Sequence, residues 1–207
     1  MEKKPNDQPR AGVTRRDFIK GVGSGALGTA VIGPLLGQTV PTRKGQVPVH
    51  ARKTITLTVN GKRTTVEAAA NETLLDVLRE KLELTGAKRV CDRGECGGCT
   101  VQLDGEPIYA CMYLAVRADG RAIRTVEGLA RGERLHPVQE AFIEKDGYQC
   151  GYCTPGFLMA ISALLEKNPD PSPDEIRRAL SGNLCRCGNY AKIYSAVETA
   201  ARKMRGV

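Results

Sequence analysis

Apolar and polar residues alternate with a period of two along 54–68, "TITLTVNGKRTTVEA", and the alternation folds back at Asn60-Gly61, a dipeptide suited to positive φ at both turn positions. This predicts a β-hairpin starting near Lys53. The period then lengthens: in "NETLLDVLREKLELTG" Leu74, Leu75, Leu78 and Leu82 recur at helical spacing, with Asn71 or Thr73 as a cap and Gly86 as a stop. Period-two patterning returns in "CTVQLDGEPIYAC", a hairpin turning at Asp104-Gly105, and in "RAIRTVEG", a last strand. From His136 onward the period is helical, with segments at about 136–146, 154–167, 172–181 and 190–204. Thr154 is expected to cap the second of these ahead of Pro155, and Ser172-Pro173-Asp174-Glu175 reads as a capping box for the third. The fold class is α+β: a β-rich domain at 52–128, then an all-α four-helix bundle at 129–207.

The formal charge of +8 on 207 residues raises the question of nucleic acid, but ten Lys/Arg against three acidic residues in 1–53 account for all but one of the excess positive charges. The folded part is nearly neutral. Aromatic residues make up only 4% of the chain and Trp is absent, so no stacking ladder for bases exists and nucleic-acid binding is not expected.

The basic N-terminus has another explanation. Thr14-Arg15-Arg16-Asp17-Phe18-Ile19-Lys20 is followed by an uncharged run from Gly21 to Gly37, which together read as a twin-arginine export signal leading to the periplasm. Arg177-Arg178 has no such run behind it. The run is short and glycine-rich, so no stable membrane span is expected. Within it Gly23-Ser24-Gly25-Ala26-Leu27-Gly28 matches GxGxxG, but no strand precedes it and the next acidic residue after it is Glu67, which rules out dinucleotide binding. Val49-His50-Ala51 offers small residues to a signal peptidase, although well beyond the apolar run. Residues 1–51 are therefore signal segment and linker.

Eight cysteines divide evenly between the two domains. Cys91, Cys96, Cys99 and Cys111 have the spacing C-x4-C-x2-C plus a fourth, the plant-type [2Fe–2S] pattern, in a stretch whose Gly94, Gly97 and Gly98 permit positive φ and close wrapping. Cys150, Cys153, Cys185 and Cys187 form a second set that spacing alone marks less specifically as a cluster. Zinc predicts paired knuckles or Cys/His ligands, and both histidines, His50 and His136, are remote from the cysteines and read as surface or helix-start residues. An oxidising compartment favours disulfides. A disulfide framework, however, does not explain Cys185 and Cys187 separated only by Arg186. The twin-arginine route, which carries folded proteins, agrees with metal clusters.

The motifs "CDRGECGGCTV", "QCGYCTPG" and "SGNLCRCGNY" together resemble the iron–sulfur subunit of the molybdenum hydroxylases, the xanthine dehydrogenase and aldehyde oxidoreductase family, over about 53–205. Within it the chain is most similar to small subunits of exported aldehyde oxidoreductases. The resemblance implies a β-grasp ferredoxin-like domain and a four-helix bundle, each binding one [2Fe–2S] cluster. It also implies a molybdopterin-binding large subunit as partner and an FAD-binding medium subunit or a cytochrome c as acceptor. Aldehydes are the expected substrates, with N-heterocycles or purines, or a free-standing ferredoxin-like carrier, as alternatives. No catalytic residue is expected on this chain. Electrons would enter at the second cysteine set and leave from the first. By the same resemblance Gln149 lies beside the pterin and Cys187 is the ligand nearest it, whereas the residues alone make Gln149 a solvated loop position. Arg186 either tunes a cluster or pairs with a carboxylate; Tyr148, Tyr152 and Tyr190 read as packing residues. After Cys187, Gly188-Asn189-Tyr190 departs from the Thr-Gly-Tyr of many members.

Overall fold

The computed structural model describes residues 51–206 together with Thr14, Arg16 and Lys20; the rest of the twin-arginine segment, the 21–37 run and its GxGxxG, and Val49 and His50 lie outside the described residues. Residues 51–206 fall within a single compact unit built around two hydrophobic cores.

The first core is a five-stranded sheet with a short helix. Strands β1 (Arg52–Val59) and β2 (Lys62–Ala69) form the hairpin expected at Asn60-Gly61, where φ is 50° and 81°, the positive pair that a two-residue primed turn requires. β3 (Thr100–Leu103) and β4 (Glu106–Tyr109) repeat the device at Asp104-Gly105. β5 (Ala122–Arg124) runs parallel to β1 and antiparallel to β3, giving the order β2-β1-β5-β3-β4, the mixed sheet of a β-grasp domain. α1 (Leu74–Asp76) is capped by Thr73, whose side chain and that of Asp76 exchange bonds with each other's backbone, and it widens into a π-helical turn over Val77–Lys81. The helix therefore stops short of the expected Gly86. Leu82 N–H reaches back to the Val77 carbonyl and Leu84 N–H to that of Leu78, and the turn-off falls at Glu83, with φ 57°.

The second core is helical: α2 (Pro137–Glu144), α3 (Thr154–Lys167), α4 (Pro173–Ala179) and α5 (Tyr190–Arg205). Ser172 and Glu175 form the expected capping box, and His136 caps α2 through a bond accepted from Val138 N–H at 3.3 Å. The Thr154 cap does not form. Cys153 occupies the cap position in a helical conformation, which places Thr154 inside the first turn with its hydroxyl unable to reach the free N–H groups ahead of it. Among the described residues no helix is long and apolar enough to cross a membrane.

The two cores meet through β3 and α3. All four residues of β3 are buried, so the strand is covered on both faces. Val101 and Leu103 fill the sheet core, while Gln102 faces α3 and donates to the Met159 carbonyl at 3.2 Å and the Ser162 hydroxyl at 2.8 Å. A buried amide is stable only when paired in this way.

Candidate metal centres

The loop carrying Cys91, Cys96 and Cys99 is held by its ends. Arg89 pairs with Asp76 at 2.8 Å and with Glu80 at 3.2 Å, and Lys88 N–H closes onto the Gly98 carbonyl at 2.9 Å. Gly94 and Gly97 take φ of 75° and 68°, as expected; Gly98 does not, and the third left-handed residue is Asp92 at 57°. Gly98 is instead a position of close approach, where a Cβ would stand 2.8 Å from Val90 Cγ2. The loop turns backbone N–H groups on the sulfur atoms: Arg93 and Glu95 donate to Cys91 Sγ, each at 3.4 Å, and Gly98 to Cys96 Sγ at 3.5 Å. Burial pushes the Cys91 thiol up, but these donors and the neighbouring Cys96 outweigh it and bring it down to about 7. Burial dominates at Cys99, pushed up to about 12 with Cys111 against it.

The second set gathers from two loops. Cys150 and Cys153 precede α3, and Cys185 and Cys187 lie between α4 and α5. Cys150 Sγ is 3.6 Å from Cys187 Sγ, far beyond the ~2.05 Å of a disulfide and close to the ~3.8 Å expected of two thiolates on one tetrahedral metal at ~2.3 Å. Cys153 pairs with Cys185, and burial pushes Cys153 up to about 12. Cys150 is held below its ordinary value by the Tyr152 N–H and by Cys187. Cys185 N–H donates to the Tyr190 hydroxyl at 2.9 Å, and Tyr190 stacks edge-on against Phe157, so that tyrosine is a packing residue as expected. Tyr148 and Tyr152 are 44% and 51% exposed, and the Tyr152 hydroxyl donates to the Arg89 carbonyl at 3.5 Å.

All eight thiols are free and stand as four pairs: Cys91 with Cys96, Cys99 with Cys111, Cys150 with Cys187, Cys153 with Cys185. Among the described residues no three Cys, His, Asp or Glu side chains meet at one point as a single ion requires. A two-iron cluster needs two thiolates on each of two irons with bridging sulfides between. Two pairs side by side, with backbone N–H groups directed at the sulfurs, fit that group and do not fit one zinc ion.

The sites are joined by contacts that sequence reasoning missed. Leu184 N–H donates to the Cys96 carbonyl at 2.9 Å, Asn183 Nδ2 to the Gly97 carbonyl at 3.0 Å and Tyr109 Oη to the Gly182 carbonyl at 3.0 Å. None of these residues is a thiol or other metal ligand, and neither the strand pattern around Tyr109 nor the motif around Leu184 names a partner. The one signal was a lone amide, Gln102, in an otherwise sheet-like run.

The family models agree with this geometry. The 2Fe-2S iron-sulfur cluster binding domain matches residues 57–124 and the [2Fe-2S] binding domain matches residues 125–198. The chain is 43% identical to the aldehyde oxidoreductase iron–sulfur-binding subunit PaoA of Escherichia coli K12, over 93% of this chain and 90% of that one. It belongs to the iron–sulfur subunits of the molybdenum hydroxylases. In this family it is also 47% identical to the nicotinate dehydrogenase small FeS subunit of Eubacterium barkeri, over 72% of this chain and 96% of that subunit. Its fold matches quinoline 2-oxidoreductase from Pseudomonas putida 86 with a TM-score of 0.71 and 43% identity, over 75% of this chain and 98% of that one. The match to the aldehyde oxidoreductase of Desulfovibrio desulfuricans has a TM-score of 0.72 and covers 74% of this chain and 17% of that one. The iron–sulfur subunit described here thus carries two [2Fe–2S]-binding domains.

Proposed function

We propose that this chain relays electrons from a molybdopterin centre on a large subunit to an FAD-binding subunit or a c-type cytochrome, during oxidation of aldehydes to carboxylic acids. Cys150, Cys153, Cys185 and Cys187 hold the cluster that receives electrons, and Cys91, Cys96, Cys99 and Cys111 the one that passes them on. When bound, each [2Fe–2S] cluster takes up and releases one electron. The observation that carries the reading is the hydrogen bond from Leu184 N–H to the Cys96 carbonyl, which ties the residue before one ligand of the second site to a ligand of the first. The chain's own residues hold the thiols in pairs and aim N–H groups at them. Cys150, Cys187 and Gln149 are exposed together, an edge that suits Gln149 and Cys187 to the pterin side.

Aldehydes are favoured because the match to an aldehyde oxidoreductase subunit spans 93% of this chain and so takes in residues ahead of the first strand. The higher identity to a nicotinate dehydrogenase subunit over a shorter span supports the second reading, an N-heterocycle substrate. We read the N-terminal segment as a twin-arginine signal that carries the assembled complex to the periplasm.

The test is iron and acid-labile sulfide on the anaerobically purified complex, with electron paramagnetic resonance after dithionite reduction. About four irons and four sulfides per chain with two [2Fe–2S] signals are expected; zinc, or an iron-free protein without titratable thiols, overturns the reading. Turnover of aldehydes against nicotinate separates the substrates. Changing Arg15 and Arg16 to Lys should strand the large subunit in the cytoplasm, and unchanged export rejects the signal.

A further inference from the structure

Each cysteine set contains a Cys-Thr dipeptide, Cys99-Thr100 and Cys153-Thr154, and the two threonines differ in what they bond. Thr100 Oγ1 is fully committed, donating to the Gly97 carbonyl at 2.7 Å and accepting from Asn183 Nδ2 at 3.2 Å. Thr154 Oγ1 is shielded from water and has no hydrogen-bond partner. The Thr154 backbone N–H donates to the Gly151 carbonyl at 3.2 Å, and the hydroxyl does not share that bond. Buried hydroxyls in folded proteins are satisfied, so an orphan calls for an acceptor that the polypeptide itself does not contain.

Such an acceptor belongs at this place. Thr154 directly follows Cys153, within the first turn of α3 and beside the loop that carries Cys150. Sulfur atoms bound there are electron-rich, and they gain negative charge when the cluster is reduced. We propose that Thr154 Oγ1 donates a hydrogen bond to a sulfur of the second [2Fe–2S] cluster and thereby raises its reduction potential. The inference rests on the assignment of Cys150, Cys153, Cys185 and Cys187 as ligands. A donor next to the cluster favours the more negative, reduced form, and the α3 N-terminus acts in the same direction whatever side chain stands at 154. The corresponding hydroxyl at the first site makes no such bond, because Thr100 spends its proton on the Gly97 carbonyl. Thr154 touches the cluster directly and sets how readily the second site accepts an electron; it takes no part in bond chemistry.

The test is a redox titration of the purified complex followed by electron paramagnetic resonance, comparing wild type, Thr154→Val and Thr154→Ser, with Cys187→Ser to identify the second-site signal. In Thr154→Val that signal should move to lower potential by about tenfold in its reduction equilibrium, ~59 mV for one electron, while the other signal stays and Thr154→Ser keeps the wild-type value. Two intact signals at unchanged potentials in Thr154→Val overturn the inference, as does an equal shift of both. A wild type with a single signal, or two signals that Cys187→Ser leaves untouched, is instead a failure of the ligand assignment. Should Thr154→Val not load its cluster, Thr154→Ala against Thr154→Ser reads the same difference.

Discussion

Leu184 N–H and the Cys96 carbonyl, 2.9 Å apart, join the loop before α5 to the loop before β3, 88 positions away in the chain. Asn183 beside it bonds both the Gly97 carbonyl and the Thr100 hydroxyl, and a Cβ on Gly97 would stand 2.5 Å from Asn183 Nδ2. The two cysteine-bearing loops are thus parts of one hydrogen-bonded structure, and what loosens one loosens the other.

Asn183→Ala tests that coupling. Asn183 is 4% exposed, and its loss removes two buried hydrogen bonds at about 0.5–1.5 kcal/mol each, about 1–3 kcal/mol together, while Thr100 goes on donating to the Gly97 carbonyl. On a domain of this size that is a fall of ~2–10 °C in melting temperature. Both electron paramagnetic resonance signals should broaden or shift together. A change confined to one of them would mean that the loops are independent.

Gly156→Ala is a test of sign. Gly156 lies in the first turn of α3, where helix propensity alone makes alanine better by about 1 kcal/mol. A Cβ there would meet the Gly97 carbonyl oxygen at 2.2 Å, a backbone atom that cannot swing aside. The expected result is destabilisation by ~1–3 kcal/mol or more, read by thermal unfolding of the loaded protein. A more stable variant would show that α3 does not press on the first cysteine loop.

Both β-hairpins and the capping box at Ser172 were legible in the sequence because each is written locally, in a dipeptide or a four-residue pattern. So were both cysteine sets, whose chemistry is marked by residue type. The end of α1 was not, because Leu82 and Leu84 satisfy their N–H groups through a widened turn that no residue announces. The Thr154 cap failed for a different reason: Cys153 takes the helical conformation itself and claims the cap position. The bonds that Gln102 and Asn183 make were not legible, because their partners stand 57 and 86 positions away.

Tyr148→Asp tests the partner-facing edge. Tyr148 is 44% exposed and Ile143 is 55% exposed; Tyr148 lies two residues before Cys150, and Asn189, two residues after Cys187, donates to the Asp146 carbonyl between them at 2.9 Å. Exposed aromatic and aliphatic side chains beside the second cysteine set are suited to a partner's surface, and a central aromatic anchor is commonly worth at least ~2 kcal/mol. The variant should keep its iron content and melting temperature while weakening association with the large subunit by roughly tenfold or more, measured by titration of the separated subunits. Unchanged affinity would move the interface elsewhere.

His136→Asn tests a pH dependence built into the start of α2. Neutral His136 accepts the Val138 N–H at Nδ1, while its backbone N–H donates to Gln139 Oε1 at 2.9 Å. Its pKa is held below the ordinary 6.5 chiefly by burial and then by Arg124, with Arg131 adding to this and Glu166 and Glu140 opposing it. A base with a depressed folded-state pKa binds its proton more readily when unfolded. Its contribution to stability is therefore complete above about 6.5 and declines as pH falls from there through the lower folded-state value. Asparagine caps a helix well and does not titrate. Between pH 7.5 and 5.5 the melting temperature of the wild type should fall further than that of His136→Asn, and because the two proteins share every other titrating group, the difference belongs to His136. Parallel pH profiles would mean that the imidazole titrates alike in the folded and unfolded chain, and that the cap holds whether or not the ring is charged.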